Sequence, residues 1–525
     1  MRLAAIDVGS NSVHMVVADV SPDGRIQVVD RVKEMVRLGR RSFTTGRLTA
    51  EAMDLAAHTL ATFGRLARAR HVERTRAVAT SAVREAKNGA AFVRRLRRET
   101  GLDVRVISGP EEARLIFRAA RHALGLDGGP HLLVDVGGGS VELVLVQDGR
   151  ALWLESLPLG VARLTERFLG SDPPTAGQVR QLDKHLKKAV GPLLDRVRHA
   201  GVVHAVGTSG TVNTLVAMAR ASRGDDVQRL HGASATAAEI TRLRRRLLSM
   251  GVARRAELPG MDAKRVDLMP SSVILIDSIL SQGGIAGLVA CSWALREGVL
   301  LDLAGVGVVG AGRARTVRRR SVEALASRFA GDNAHGQQVA RLARQLFDAT
   351  ASDLGLPASG RELVEFAGLL HDIGHAIDHD RHHRHSCYLI RNGELLGFEA
   401  VEIEILAQAA RGHRKQSPKA NDPELRSMPA AARRLVRALA ALVRVADALD
   451  RTRFGVVRDL NVREHGGRLV IGVDPGKEDA ELEVWAAERR VDLLARLLDR
   501  PVVLRLEPSK AAARVPPPIR VAGGR

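Results

Sequence analysis

Aromatic residues make up only 3% of the 525-residue chain, so the sequence offers little material for stacking nucleic-acid bases. The two cysteines, Cys291 and Cys387, lie far apart and without metal-ligand spacing, which excludes a disulfide framework and fits a reducing compartment. The most apolar stretch, 283–295, is too short to span a bilayer, and the sequence opens on a strand pattern rather than a signal peptide. We therefore expect a cytoplasmic protein with no membrane partner and no specific nucleic-acid partner.

Positive charge is the main surplus of the chain. Lys and Arg number 80 against 59 Asp and Glu, which gives a net charge of +21 and a pI of about 11.1. Such an excess predicts a polyanionic partner, among which charge alone does not choose. The length exceeds what one hydrophobic core can organise, so several domains are expected.

A pattern at the start of the sequence is repeated further along it. Residues 3–38 and 132–157 each predict three strands, the first two joined by a glycine turn. In the two turns Asp7, Gly9 and Ser12 match Asp135, Gly137 and Ser140. Helical patterns alternate with short strands between the copies, and this alternation predicts layered α/β structure.

The glycine turns are predicted phosphate-binding sites. A glycine-rich turn exposes consecutive backbone N–H groups with no side chain in the way, and two facing turns would hold adjacent phosphates. A third turn, at 206–211, follows a strand pattern and precedes a helix, whose N-terminus also favours anions. The alternative is that the turns are merely the hairpins of a duplicated fold. The predicted phosphate-binding residues are Asp7, Gly9, Ser10, Asn11, Ser12, Gly137, Gly138, Gly139, Ser140, Gly207, Thr208, Ser209 and Gly210.

The two copies differ in one chemically important position. The first turn is followed by His14 where the second is followed by Glu142, so the second copy presents two carboxylates, Asp135 and Glu142. Carboxylates beside a phosphate site would repel the substrate unless a hard cation lies between them. We therefore predict that Asp135 and Glu142 hold Mg²⁺ or Mn²⁺, directly or through water, although either acid alone could simply cap a turn.

Several stretches together resemble the exopolyphosphatase / guanosine pentaphosphate phosphohydrolase (Ppx/GppA) family. They are "AIDVGSNSVHMVVADV", "AVATSAVREAKN", "VISGPEEARLIF", "VDVGGGSVELVLV", "AVGTSGTVNTL" and "WALREGVLLDL". The resemblance implies a duplicated actin-like (ribonuclease H-like) two-lobe α/β fold, hydrolysis of a terminal phosphoanhydride bond, and a homodimer.

The resemblance also implies roles for two residues. Glu111 and Glu112 both fall in the first turn of a predicted helix, and the physics of the sequence does not separate them. The family's general base corresponds to Glu112. Arg84 matches a family arginine that contacts substrate phosphate.

A second set of candidate ligands lies in a histidine-rich helical region. The order His335, His371-Asp372, Asp447 resembles that of HD-type metal phosphohydrolases, and His385 and His413 could supply a second divalent metal. We expect the remaining histidines of this region, His375, His379, His382 and His383, to lie at the surface or around the ligands. The alternative is a relic domain that serves dimerisation and substrate channelling.

The expected domain order follows from these patterns. We predict an actin-like lobe I (1–124), an actin-like lobe II (125–304), a basic linker (305–320), an all-α HD-type domain (321–455), a small α+β domain (456–507) and a disordered tail (508–525).

The favoured function is an exopolyphosphatase that uses Mg²⁺ to release orthophosphate from inorganic polyphosphate. A long chain would use basic residues outside the cleft, for instance Arg313, Arg315 and Arg318–Arg320. The alternatives are a guanosine pentaphosphate 5′-phosphohydrolase, or an HD-type metallophosphohydrolase with the N-terminal lobes as a sensor. A nucleic-acid-binding regulator is disfavoured because the sequence shows no reading module.

Overall fold

The computed structural model describes residues 1–306 except 23, 226 and 228, residues 314–414, and residues 422–507 except 423, 424, 427 and 477. The chain divides into two compact units, Met1–Val317 (unit 1) and the part from Arg318 onward (unit 2). Most of the predicted linker's glycine-rich half and the whole predicted tail lie outside the described residues.

Unit 1 begins with a five-stranded sheet. Its strands are β1 (Arg2–Val8), β2 (Val13–Val20), β3 (Ile26–Glu34), β4 (Arg74–Ala79) and β5 (Val104–Val106). The spatial order is β3-β2-β1-β4-β5, with β1, β4 and β5 parallel and with β2 and β3 antiparallel to their neighbours. The helices of this part are α1 (Ser42–Thr45), α2 (Ala50–Ala69), α3 (Ser81–Glu85), α4 (Gly89–Thr100) and α5 (Gly109–Leu124).

A second sheet of unit 1 repeats this order. Its strands are β6 (Pro130–Val136), β7 (Val141–Gln147), β8 (Arg150–Leu157), β9 (His204–Thr208), β10 (Ser234–Thr236) and β11 (Gly287–Ala290). They are arranged β8-β7-β6-β9-β11-β10, again with the first hairpin antiparallel and the next two strands parallel. The remaining helices of unit 1 are α6 (Val161–Phe168), α7 (Ala176–His199), α8 (Ser209–Ser222), α9 (Ala237–Leu248), α10 (Val252–Ala256), α11 (Met269–Gly283) and α12 (Leu295–Leu303). The shared order confirms the duplicated actin-like two-lobe fold.

The apolar runs of the sequence explain why these strands lie at the centre of their sheets. Residues 3–6 of β1 and 132–136 of β6 are buried on both faces, as expected for central strands covered by helices on each side. The apolar stretch at 283–295 forms β11 and the start of α12. Within the described ranges, no helix has both the length and the hydropathy needed to cross a membrane.

Unit 2 is a helical body with a small sheet. Its elements are α13 (Ala314–Ala330), α14 (Ala334–Thr350), α15 (Gly360–Leu370), α16 (His382–Asn392), α17 (Ala400–Arg411), α18 (Ala430–Ala448), β12 (Asp459–His465), β13 (Arg468–Asp474), α19 (Glu481–Glu488), α20 (Asp492–Leu498) and β14 (Val502–Leu506). The sheet, ordered β12-β13-β14, shares one continuous hydrophobic core with the helices. The strands therefore complete the helical body rather than form a separate core.

The basic half of the predicted linker is helical and its charge is compensated. Residues 314–320 belong to α13. Arg318 donates to Glu362 (2.7 Å) and Glu402 (2.8 Å) and stacks on Phe398, while Arg319 pairs with Glu323 and Glu365. Arg318 and Arg319 are thus paired with acids of α13, α15 and α17, and their contact with a polyanion stays a prediction. Arg313 and the side chain of Arg315 lie outside the described residues.

Candidate active site

A cleft of about 140 Å³ lies between the two glycine turns of unit 1. Most of the predicted phosphate-binding residues line it, namely Asp7, Gly9, Ser10, Asn11, Ser12, Gly137, Gly138, Ser140, Ser209 and Gly210. Arg84, Gly139, Gly207 and Thr208 are not among its lining residues. Of these four, Thr208 donates its hydroxyl to Asp135, and so supports a residue that does line the cleft.

The two turns have the same local geometry and face each other. Each is closed by one backbone hydrogen bond, from Gly9 to Ser12 (3.1 Å) in the first and from Gly137 to Ser140 (3.0 Å) in the second. A Cβ atom at Gly138 would lie 3.2 Å from the Cβ of Ser10, so the turns meet almost backbone to backbone. Glycine thus permits two sets of N–H groups to approach one ligand.

Strand register places the acids at equivalent positions of the two hairpins. Asp7 lies opposite His14 in the β1–β2 pair, and Asp135 lies opposite Glu142 in the β6–β7 pair. Asp7 and Asp135 line the cleft, whereas Glu142 is buried behind it and accepts a hydrogen bond from Ser156 Oγ (2.8 Å). The structure therefore puts the two predicted metal-binding acids side by side, with Asp135 the nearer to the cleft.

Burial is the main cause of the raised pKa values of the acids at the cleft. Burial raises the pKa of Asp7 to about 7, and the neighbouring Asp135 adds to this rise. Burial also raises the pKa of Asp135, and burial together with the charges of Glu112 and Asp135 raises that of Glu142. One oxygen each of Asp7 and Glu142 is buried without a hydrogen-bond partner in the part of the chain that the structure describes. Buried acids with free oxygens are the ligand type that Mg²⁺ prefers, so the residues present fit such an ion.

The start of α5 places Glu111 and Glu112, which the sequence alone did not distinguish, in different surroundings. Ser108 caps this helix by accepting from the N–H of Glu111 (3.2 Å). The carboxylate of Glu111 then pairs with Arg105, whereas Glu112 is buried and lines the cleft. Burial raises the pKa of Glu112 to about 8, against the opposing effect of Arg84.

Arg84 is bound to Glu112. Its Nη1 donates to Glu112 Oε2 (3.0 Å) and to the carbonyl oxygen of Ile107 (2.9 Å). In the described structure Arg84 therefore lies behind the Glu112 carboxylate and holds it toward the cleft.

Two cleft arginines were not predicted as site residues. Arg296, at the start of α12, donates to His14 Nδ1 (2.8 Å), so the other ring nitrogen of His14 carries the proton and donates to Ser12 Oγ (2.7 Å). Burial and the charge of Arg296 lower the pKa of His14 to about 2, which keeps this imidazole neutral. Arg265 lies against Gly210, where a Cβ atom would come within 2.2 Å of its guanidinium. Arg296 falls within the motif "WALREGVLLDL", but Arg265 belongs to no motif that the sequence revealed.

Unit 2 contains a separate cluster of histidines and aspartates. Asp372 Oδ1 lies 3.6 Å from His371 Nε2, 3.2 Å from His382 Nε2 and 3.7 Å from His413 Nε2. Asp447 Oδ1 lies 3.3 Å from His335 Nε2 and 3.5 Å from His371 Nε2. The predicted ligands His335, His371, Asp372, His413 and Asp447 are thus brought together.

One predicted ligand of this cluster is replaced by another residue. His385 is partly exposed and is not among the described residues that converge on Asp372. His382, predicted to lie outside the ligand set, is buried and occupies that place, because the first turn of α16 turns it toward the cluster. Spacing alone did not distinguish two histidines three residues apart on one helix.

The ring orientations suit metal binding. His335 Nδ1 donates to Asp450 (2.8 Å), His371 Nδ1 to the carbonyl oxygen of Gly368 (2.7 Å) and His413 Nδ1 to that of Ala410 (2.5 Å). Each bond fixes the ring so that Nε2 points into the cluster, as the outer hydrogen bonds of metal-binding histidines do. The cluster could therefore hold a metal ion.

The charges of the cluster lead to the same conclusion. Burial by itself lowers the pKa of His371, but Asp372 and Asp447 outweigh it and raise this pKa to about 9. Asp372 and Asp447 therefore stabilise a positive charge between them. A metal ion bound there would supply this charge in place of the proton on His371.

Comparisons with known proteins agree with both parts of the chain. A family model described as the Ppx/GppA phosphatase family matches residues 16–306, and one described as Ppx/GppA phosphatase, domain III, matches residues 317–467. An exopolyphosphatase from Cytophaga hutchinsonii is 30% identical with a TM-score of 0.55, over 59% of this chain and 99% of that one. A Ppx/GppA family member from Aquifex aeolicus is 30% identical with a TM-score of 0.50, over 58% of this chain and 97% of that one.

Proposed function

The chain belongs to the Ppx/GppA phosphatase family of phosphoanhydride hydrolases, and within it we propose that this protein is an exopolyphosphatase, which releases orthophosphate from the end of inorganic polyphosphate. The similarity to the Cytophaga hutchinsonii exopolyphosphatase, at 30% identity, supports this choice. The chemistry of the cleft supports it independently.

The observation that carries the proposal is the composition of the cleft. Its lining consists mainly of facing glycine turns, hydroxyls, carboxylates and two arginines; the apolar lining residues are Val136, Ala294 and Leu295, and among its described lining residues there is no Phe, Tyr or Trp ring. A guanine base stacks best on an aromatic ring, whereas a row of phosphates needs only N–H groups and cations. The lining therefore favours an inorganic polyphosphate end over guanosine pentaphosphate.

The mechanism assigns each group of residues one task. The backbone N–H groups of the two turns bind the last phosphates, and Arg265 and Arg296 neutralise oxygens of the chain behind them. Glu112, in its ionised form, accepts a proton from the attacking water and aims that water at the terminal phosphorus. Arg84 holds the Glu112 carboxylate in place. Asp135, with Glu142 behind it, would hold Mg²⁺, which when bound supplies charge neutralisation at the scissile phosphoanhydride.

Neutral His14 acts as a positioning residue in this scheme. It accepts from Arg296 and donates to Ser12, and so links the arginine to the first turn. Because its pKa lies far below neutral pH, the ring stays neutral and adds no second acid–base group to the cleft.

A comparison of substrates tests the proposal. Phosphate release should be measured with long-chain polyphosphate and with guanosine pentaphosphate, under the same Mg²⁺ and salt concentrations. We expect kcat/KM to be larger for polyphosphate by at least tenfold. A preference for guanosine pentaphosphate would contradict the proposal and favour the nucleotide phosphohydrolase instead. The expected homodimer and cytoplasmic location remain predictions.

A further inference from the structure

The second glycine turn is held from behind by the start of α6. The backbone N–H groups of residues 161–162 donate to the carbonyl oxygens of Gly137 (3.0 Å) and Gly138 (2.9 Å). The carbonyl oxygen of Gly139 accepts instead from a side chain, through Nε of Arg163 (3.0 Å). A trans peptide unit points its N–H away from its carbonyl oxygen, so these bonds direct the next three N–H groups of the turn away from α6.

Those three N–H groups are the ones that a phosphate would meet. They belong to Gly138, Gly139 and Ser140, and the described structure shows no hydrogen bond from them to another part of the chain. Gly138 and Ser140 line the cleft, whereas no residue of α6 is among its described lining residues. Arg163 therefore supports the phosphate site from outside the cleft.

Arg163 is itself held by two helices that follow the first glycine turn in the chain. Its guanidinium lies 4.1 Å from the centre of the Phe43 ring in α1, and its Nη2 donates to Glu85 Oε2 (2.7 Å) in α3. The planar guanidinium can stack on a ring while its edge donates in two directions, which no other side chain can do. The side chain of Arg163, only 17% exposed, thus connects the second turn to α1 and α3.

Phe43 packs on the segment that holds the first turn. The carbonyl oxygen of Ser10 accepts from the N–H of Gly39 (2.6 Å), just as the carbonyl oxygens of the second turn accept from α6. A Cβ atom at Gly39 would lie 2.7 Å from the Phe43 ring, so ring and segment are in direct contact. The two turns are therefore held in equivalent ways, and Arg163 meets Phe43 where the two holding segments touch.

We propose, on the basis of the phosphate site proposed above, that Arg163 is a positioning residue for phosphoanhydride hydrolysis, which fixes the second glycine turn and sets its place relative to the first. Donors already in place stabilise a transition state best, because they need no reorganisation during the reaction. Without the bond from Arg163, the peptide unit between Gly139 and Ser140 is free to rotate, and one N–H group of the phosphate site loses its direction.

Binding of a short phosphate chain tests this role without reference to turnover. The full-length Glu112→Gln protein should be titrated with tripolyphosphate in the presence of Mg²⁺. In this background we expect Arg163→Met to raise the Kd at least about tenfold. Arg167→Met, at an exposed position one helical turn further along α6, should change the Kd less than about twofold. Partial unfolding would lower the number of binding sites and not their affinity. Equal Kd values in the two methionine variants would overturn the proposal.

Glu85→Gln keeps the test valid if Arg163→Met does not fold. The side chain of Glu85 is 42% exposed, so an amide there is compatible with the fold, but it weakens the anchor of the guanidinium. We expect a Kd about threefold higher in Glu85→Gln alone. We expect no further rise when Glu85→Gln is added to Arg163→Met, because both substitutions remove the same contact. Independent, multiplying effects on the Kd would contradict the role given to this contact.

Steady-state kinetics separates the role of Arg163 from the choice of substrate. Phosphate release by the protein that retains Glu112 should be measured with polyphosphate and with guanosine pentaphosphate. For the substrate that the wild type prefers, we expect Arg163→Met to raise KM and to lower kcat/KM at least about tenfold. A preference for guanosine pentaphosphate, together with this loss, would contradict the polyphosphate substrate and support the role of Arg163. A lower kcat at unchanged KM would instead show that Arg163 only maintains the fold.

Discussion

Replacing Glu112 by Gln isolates the chemical step from substrate binding. Gln has almost the same shape, so its amide oxygen can still accept the hydrogen bond that Arg84 donates at 3.0 Å. It cannot accept a proton from water. Loss of a general base typically costs a factor of about 10² to 10⁴ in rate, which corresponds to about 3–5 kcal/mol of activation free energy. We expect a decrease in kcat of that size, with polyphosphate binding retained.

The substitution should not unfold the protein. Glu112 is one of three buried acids around the cleft, with Asp135 and Glu142, and a neutral amide cannot repel the other two. The weaker hydrogen bond to Arg84 has the opposite effect and lowers the free energy of unfolding. We expect the free energy of unfolding to change by no more than about 1 kcal/mol. Thermal denaturation, measured beside phosphate release and beside a polyphosphate-binding titration, separates an inactive enzyme from an unfolded one.

Glu111→Gln is the matched control. Glu111 precedes Glu112 in the same helical turn, but its carboxylate pairs with Arg105 outside the cleft. The control should keep kcat within about twofold, since a partly exposed pair of this kind contributes about 0–1 kcal/mol. Full activity of Glu112→Gln, or an equal loss in Glu111→Gln, would refute the assignment of the base.

Three further predictions concern the same cleft. Arg84→Met removes the charge that lowers the pKa of Glu112, so the acidic limb of the pH profile of kcat/KM should move to higher pH; an unchanged limb with a raised KM would instead assign Arg84 to the substrate. Arg296→Gln should raise KM for polyphosphate at least tenfold and make binding less sensitive to salt, whereas Arg319→Gln, whose charge is already compensated, should change KM less than twofold. Chelation of Mg²⁺ should stop phosphate release and lower the melting temperature, because an ion at 100 times its Kd adds about 2.7 kcal/mol to the free energy of unfolding; an unchanged melting temperature would argue against an ion among the buried acids.

Local patterns were sufficient to predict the duplicated fold. Each glycine turn lies between two strands, and the residues at its edges pair across the resulting hairpin. The sequence therefore already contained the pairs Asp7–His14 and Asp135–Glu142. The alternation of apolar residues in a strand and the residue preferences of a turn depend on only a few neighbouring residues. For this reason the turns and their strands could be predicted from the sequence.

The residues that the sequence did not reveal depend on contacts between distant segments. Arg265 reaches the cleft because the loop before α11 lies against Gly210 of the third turn, and Arg296 reaches it because the start of α12 lies beside the first hairpin. His382 and His385 are equivalent in spacing, and only packing of α16 decides which is buried. Similarly, Arg318 looks free in the sequence because its partners, Glu362 and Glu402, lie on other helices.

The unequal hairpins have a consequence for how a polymer enters the cleft. If both turns carried the same flanking residue, the cleft would have an approximate twofold axis, and a polyphosphate chain could bind equally well in either direction. Arg296, bound to neutral His14, places a positive charge beside the first hairpin, while Glu142 adds a second acid to Asp135 at the other hairpin. The axis is thereby broken and the cleft acquires polarity. On the proposed function, a polymer that itself has no chemical direction is then bound in one orientation relative to the two walls.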